Sequence, residues 1–316
     1  MFISSLGPES PRFDGGARGQ GGSAGTQSYR EETQLKGLAT RIAKRLPRAI
    51  ANRGLPRIYF LHIPKTGGLS VTLWLKRQIG ESHSCAAITW DELIRIDPSA
   101  LRRYRLFCGH FGVDLKRFLR GSLRTVTVLR DPVERTISHY HHVHRDIYHP
   151  CHRRVARESL DEFVQNPDNW PMIDNFQARY LVGTPVDITH ASARFDWSDS
   201  KRGRLSVLSE DARFLLDPGY VRERSREVIE RDITVIGTTE QLPEFLSRVA
   251  REFSLPLPLP EDVPRINVAP VSVRDVQAES KTRDIIRELT AIDQELWNSC
   301  RHRSHTEPIS RLAAAD

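Results

Sequence analysis

Short apolar runs rich in β-branched and aromatic residues recur along the chain, most followed by a turn and then by apolar residues at helical spacing. The first is Arg57-Ile58-Tyr59-Phe60-Leu61; Pro64-Lys65-Thr66-Gly67-Gly68 makes the turn, and Leu69, Leu73, Lys76 and Ile79 give the next segment a mostly apolar stripe. Trp90 to Leu101 reads as helical, broken at Pro98. Arg105-Leu106-Phe107-Cys108 reads as a strand running into Gly109-His110-Phe111-Gly112, and Thr125 to Leu129 as another. The latter ends in Arg130-Asp131-Pro132, where Pro132 suits the first turn of a helix and Asp131 its N-cap. Residues 175 to 183 read as helical, whereas 184 to about 225 show little pattern and predict an irregular excursion. Thr234-Val235-Ile236-Gly237 is a further strand, followed by a helix with Leu242, Phe245, Leu246 and Val249 inward. Pro256, Pro258, Pro260 and Pro264 stiffen a loop ending in Arg265-Ile266-Asn267-Val268, and Ile285, Leu289, Ile292 and Leu296 predict one C-terminal helix.

Strands alternating with helices imply an α/β domain whose central, mainly parallel sheet is covered on both faces. Ligands of such sheets gather beyond the C-terminal ends of the strands. Lys65, His110 and Arg130 each follow a predicted strand, so three separate segments are expected at one crevice. Residues 1–35 are rich in Gly and Ser without hydrophobic periodicity. Leu38, Ile42 and Leu46 among Arg41, Lys44, Arg45 and Arg48 suggest a short basic amphipathic helix. The division is therefore a flexible basic extension over 1–55 and one domain over 56–316, with weak peripheral membrane contact open to residues 36–50.

The turn after the first strand has the chemistry of an anion site. Two glycines let the backbone approach a ligand, helix N-terminal N–H groups point at it, and Lys65 adds a full charge. A nucleotide-triphosphatase loop places its lysine after the glycines and a metal-binding hydroxyl after the lysine; here the lysine comes first. A second anion motif follows the strand at 125–129, where Arg130 stands at the strand end and Ser138 about two turns into the next helix.

The two motifs, Pro64-Lys65-Thr66-Gly67-Gly68-Leu69-Ser70 and Arg130-Asp131-Pro132 through Arg135, Ser138 and Tyr140, resemble the phosphosulfate and 3′-phosphate motifs of sulfotransferases that use 3′-phosphoadenosine-5′-phosphosulfate (PAPS). The likeness is greatest to carbohydrate sulfotransferases related to the heparan sulfate 2-O- and 6-O-enzymes. It spans most of residues 57–300, with Asn175, Gln177, Arg179, Leu181 and Gly183 matching a further family segment. The resemblance implies an α/β, P-loop-like three-layer fold with a central mainly parallel sheet. It implies that Lys65, Thr66, Gly67, Gly68, Leu69 and Ser70 hold the 5′-phosphosulfate of the donor PAPS, with Lys65 near the bridging oxygen, and that Arg130 and Ser138 hold the 3′-phosphate, which stays with the product PAP. Leu69 stands where the family often has Thr, which removes one hydroxyl. Asn267 lies in a segment like the family's C-terminal cofactor loop. His110 is the expected general base toward a carbohydrate or glycan acceptor, since imidazole titrates near neutrality, and His62 the expected shaper of the loop.

Charge and cysteines narrow the partners. Of a net +7, residues 1–57 supply +6, so the body carries almost none of the excess and nucleic acid is not an expected partner. Cys85, Cys108, Cys151 and Cys300 are scattered, without a C-x-x-C pair, as reduced thiols of a cytoplasmic protein would be. No apolar run approaches the ~20 residues of a membrane span, and no signal-peptide core is visible. Eukaryotic relatives are typically anchored in the Golgi, so a bacterial, cytoplasmic enzyme is the expectation. Six of twelve histidines fall between His139 and His152, but no H-E-x-x-H or Cys-rich context accompanies them, and no metal is expected. The rival readings are a nucleotide-dependent small-molecule kinase and a non-catalytic glycan-binding module.

Overall fold

The structure, a computed structural model, describes residues 56–119, 122–182, 193–196, 204–207, 217–258 and 280–303. The expected extension over 1–55, the basic helix expected within it and Asn267 lie outside the described residues. In chain order the elements are β1 (Arg57–Leu61), α1 (Gly68–Ile79), α2 (Trp90–Leu93), α3 (Pro98–Leu101), β2 (Leu106–Gly109), α4 (Leu115–Leu119), β3 (Leu123–Leu129), α5 (Pro132–Arg145), α6 (His152–Val155), α7 (Leu160–Gln165), α8 (Phe176–Val182), β4 (Ala193–Asp196), β5 (Arg204–Val207), α9 (Pro218–Arg231), β6 (Ile233–Thr238), α10 (Leu242–Glu252), α11 (Ser280–Leu289) and α12 (Ala291–Arg303).

Four strands form one parallel sheet in the order β2-β1-β3-β6, and β4 pairs with β5 antiparallel in a separate ribbon. Successive side chains of a strand point to opposite faces, and β1 shows the consequence. Ile58 and Phe60 join Val126, Val128 and Val235 beneath Val71, Trp74 and Leu75 of α1 and Phe245 and Val249 of α10. Tyr59 and Leu61 join Phe107, Leu129 and Ile236 on the other side, against Ala178 and Leu181 of α8, Val228 of α9 and Leu296 and Trp297 of α12. Both faces are thus covered, as parallel sheets require. Removing any one of Phe60, Trp74, Phe107 or Phe245, all essentially unexposed, would forfeit about 3–5 kcal/mol. A third cluster, built on Val133, Tyr140 and Val143 of α5 with Phe163 of α7 and Ile286 of α11, braces α5 from behind.

The structure corrects several expectations. The inward face of α1 is Val71, Trp74, Leu75 and Ile79, while Leu69 and Leu73 are only half-buried. The helical stretch from Trp90 is broken before Pro98 as expected, and Pro98 starts α3, with the Asp97 carboxylate accepting from Ser99 N at 2.7 Å. Part of the stretch read as irregular is α9, which buries Val221, Ser225, Val228 and Ile229. The expected C-terminal helix is two, because Leu289 O accepts from Asn175 N at 3.1 Å and the Asn175 side-chain oxygen receives Ile292 N at 2.8 Å where α12 begins. Among the described residues no helix is long and apolar enough to cross a membrane, and Cys85, Cys108, Cys151 and Cys300 are buried and form no disulfide.

Candidate functional site

β1 and β3 are adjacent and parallel, so their C-terminal ends open on the same edge of the sheet. The chain leaves β1 through His62–Gly67 before α1 begins. Lys65 has φ 74° and Gly67 φ 77°, two left-handed residues flanking Thr66, the kind of curl that turns backbone N–H groups inward around an anion. Glycine takes this conformation without strain; lysine does not, at a cost of about 1–3 kcal/mol. Such strain persists only where the surroundings enforce it. The enforcing bonds are present: Thr66 Oγ1 donates to Ile63 O at 2.9 Å, and Thr239 Oγ1 lies 3.0 Å from Thr66 O and 3.2 Å from Leu129 O. The Thr66 side chain thus braces the loop, and what it can offer a ligand is its backbone N–H. Ser70, in the first turn of α1, is buried, and Leu69 beside it is half-buried.

Arg130 is brought onto this loop directly, its Nη1 donating to Lys65 O at 3.1 Å. Gln177 of α8 holds the Arg130 backbone from both sides, accepting from its N–H and donating to its C=O, each at 2.9 Å. Asp293 of α12 in turn caps α8, accepting from Gln177 N at 3.0 Å and Ala178 N at 2.7 Å. Burial raises the Asp293 carboxyl to about 6, against those two bonds and the nearby Arg135 and Arg179, which favour its charged form. The segment Asn175-Gln177-Arg179 is therefore scaffold: Arg179 likewise spends its guanidinium on Asp174 O and Pro171 O.

Asp131 caps α5 as expected, accepting from Val133 N at 2.9 Å and Glu134 N at 3.1 Å. Arg135, Ser138, His139 and His142 then share one face of the helix at helical spacing. Arg135 donates from Nε to Pro64 O at 3.3 Å and from Nη1 to Met172 O at 2.5 Å, with its guanidinium 3.6 Å from the Phe176 ring centre. Its Nη2 is buried without a hydrogen-bond partner. Among the described residues neither Arg130 nor Arg135 has a carboxylate at ion-pair distance, and burial lowers both guanidinium pKa values, that of Arg135 to about 9. Both remain cationic at neutral pH, and buried charge of this kind favours an anionic partner. Arg135 was not among the site residues expected from sequence. The Arg130-x-x-x-x-Arg135 spacing was the available signal, and the carbonyl contacts that give Arg135 its place leave no trace in it.

His110 follows β2. Phe111 anchors the turn in the core against Tyr59 and Trp90, and His110 stays half-buried at the crevice. Its Nδ1 lies 2.7 Å from His62 O. A carbonyl only accepts, so Nδ1 carries the proton and, in the neutral ring, the lone pair is on Nε2. His62 stacks on Phe60 with ring centres 5.5 Å apart and lies 4.7 Å from the His110 ring. Burial, with His110 and Lys65 close by, depresses the His62 pKa well below the usual range, so the ring is neutral. His62 also fills the space over the start of α1: a Cβ on Gly68 would stand 1.9 Å from its Cδ2 and Nε2.

Lys65, Arg130 and His110 therefore meet at one edge through the β1–α1 loop, and Ser138 sits on the face of α5 that also carries Arg135. Among the described residues no group of three or more His, Cys, Asp or Glu is placed to hold a metal. No protein-family model matches the chain, and comparison with curated proteins gives no match.

Proposed function

We propose that the chain is a PAPS-dependent O-sulfotransferase that moves a sulfuryl group to a hydroxyl of a carbohydrate-like acceptor, on a three-layer, P-loop-like α/β fold. The observation that carries the reading is the hydrogen bond from Arg130 to the Lys65 carbonyl, which joins two anion motifs from separate strand ends into one crevice. A donor with phosphate at both its 5′ and 3′ positions suits such a pair. The fit is supported by the left-handed Lys65 and Gly67 in the loop and by the half-buried Arg130 and fully buried Arg135 guanidiniums, neither of which has a carboxylate at ion-pair distance among the described residues.

The donor, when bound, supplies the sulfuryl group. Lys65 and the N–H groups at the start of α1 meet the negative charge that grows on the departing phosphate oxygen as its bond to sulfur breaks. His110 Nε2 takes the proton of the attacking hydroxyl, and its Nδ1–H, held by His62 O, keeps the ring in the tautomer that can do so. Arg130, with Ser138, holds the 3′-phosphate, fixing the nucleotide while the bond changes.

Calorimetric titration of the purified protein with PAP and with ATP, each with and without Mg²⁺, tests the reading. PAP is expected to bind far more tightly than ATP and without metal. Arg130→Ala is expected to weaken PAP by about 2–4 kcal/mol. Equal affinities, or dependence on Mg²⁺, would overturn the sulfotransferase assignment and favour a kinase.

A further inference from the structure

The histidines that follow Ser138 have no part in the chemistry above, yet three of them converge. His139 and His142 lie one turn apart on α5, and the turn after α5 brings back His149. Their ring centres form a triangle of 6.3 Å (His139 to His142), 6.0 Å (His139 to His149) and 6.0 Å (His142 to His149). Three imidazoles invite a metal, but the surroundings oppose one. His149 Nδ1 already accepts the Cys151 N–H at 3.1 Å, which places the His149 proton on Nε2 in the neutral ring. The groups facing His139 and His142 are mostly cationic: Lys65 from the β1–α1 loop, and Arg135 and Arg145 from α5 itself. Among the described residues Asp146, whose Oδ2 is 4.0 Å from His142 Nε2, sets a carboxylate against them, and α8 presents the Phe176 ring. His139 Nδ1 is buried without a hydrogen-bond partner.

We propose that His139, His142 and His149 form, with Lys65, a proton-accepting subsite for a tetrahedral oxyanion of the phosphate or sulfate class, so that the anion binds together with a proton from solvent. Lys65 sets a cation close enough to oppose charge on His139 and His142; in the proposed complex it and the Nε2–H of His149 donate to the anion, while His139 and His142 hold unprotonated nitrogens that become donors once an anion removes the repulsion among their neighbours. Without it, burial first and the cations second keep His142 at about 3 and push His139 well below its usual range. The proton moves from water to an imidazole nitrogen, and no covalent bond to the anion forms. The subsite shares only the seat at Lys65 with the sulfotransferase reading, and it holds for any such anion seated there.

Sulfate is the probe, because it does not itself titrate near neutrality. The full chain, with ¹³C-labelled histidine, is titrated with sodium sulfate at constant ionic strength between pH 5.5 and 7.5. Expected at pH 6.5 is movement of the His139 or His142 ring signals to the imidazolium position, with sulfate affinity tightening as pH falls toward the limit of about tenfold per pH unit for one proton taken per anion. The double change His139→Gln, His142→Gln is expected to keep sulfate bound near Lys65 but to flatten the pH dependence; should that variant not fold, the ring signals of the wild type decide alone. Sulfate that binds with pH-independent affinity, ring signals that do not move, or no sulfate binding would each overturn the subsite. PAP separates the two readings. PAP preferred over ATP without proton uptake leaves the sulfotransferase standing and the subsite refuted, whereas proton-coupled sulfate binding in a protein indifferent to PAP does the reverse.

Discussion

Gly68→Ala tests how the anion loop and the proposed base are mechanically joined. At an ordinary helix position this change stabilises by about 0.5–1 kcal/mol, because alanine loses less backbone entropy. Here the new methyl would stand 1.9 Å from Cδ2 and Nε2 of His62 and 2.6 Å from Cε1. Comfortable contact needs about 3.5–4.0 Å, so the ring must retreat by roughly 1.5–2 Å. That retreat is blocked by Phe60, stacked at 5.5 Å and 16°, and by the His110 ring at 4.7 Å. Overpacking of this kind costs about 1–3 kcal/mol and outweighs the gain in propensity. Because His62 O holds His110 Nδ1, turnover should fall with stability. Denaturant unfolding of wild type, Gly68→Ala, His62→Ala and the double variant measures the coupling. With the ring removed there is room for the methyl, so Gly68→Ala should be neutral or stabilising on the His62→Ala background, a coupling of about 2 kcal/mol or more. An equal penalty on both backgrounds, or none on wild type, would show that His62 does not impose glycine at 68.

His110→Ala should lower turnover about 10²–10⁴-fold while PAP affinity changes little; loss of PAP binding in a folded variant would make His110 a shaper of the crevice instead. Gln177→Leu leaves both Arg130 backbone groups without their partner and should cost about 2–4 kcal/mol by thermal or chemical unfolding, with PAP weakened less than by Arg130→Ala. A PAP loss as large as that of Arg130→Ala with unchanged stability would point to direct contact between Gln177 and the ligand. For Asp293, a carboxyl raised from 3.8 to about 6 on folding makes the folded state the tighter proton binder, so its penalty is absent below about pH 4 and complete above about pH 6, amounting to about 3 kcal/mol. The stability difference between wild type and Asp293→Asn should therefore shift by about 2 kcal/mol in the variant's favour from pH 4.5 to 7.5, and a flat difference would mean that the carboxyl is not strained by burial.

The strand, turn and helix from Arg57 to Ile79 are legible in the chain because their signals are local: a β-rich run, a glycine pair and a return to helical spacing. The same holds for Asp131 and Pro132 at the start of α5, and for the buried stripe of α10. Helix α9 carried a signal as well, Asp217 before Pro218 and apolar positions at 221, 228 and 229, but its many arginines and glutamates masked the stripe. Other features are invisible in one dimension. Gln177 and Arg130 are 47 residues apart, and Asp293 lies 116 from the N–H of Gln177 that it receives; only chain closure sets such partners together. Arg135 and His110 are positioned by backbone carbonyls, which every residue possesses and which therefore mark no residue in the sequence. The triangle of His139, His142 and His149 beside Lys65 depends on the turn that ends α5 and on the docking of α5 against the β1–α1 loop. Local periodicity and turn chemistry determined where elements begin and which residues stand at their ends; packing of those elements decided which ends meet, which charges are desolvated, and which of twelve histidines are held neutral.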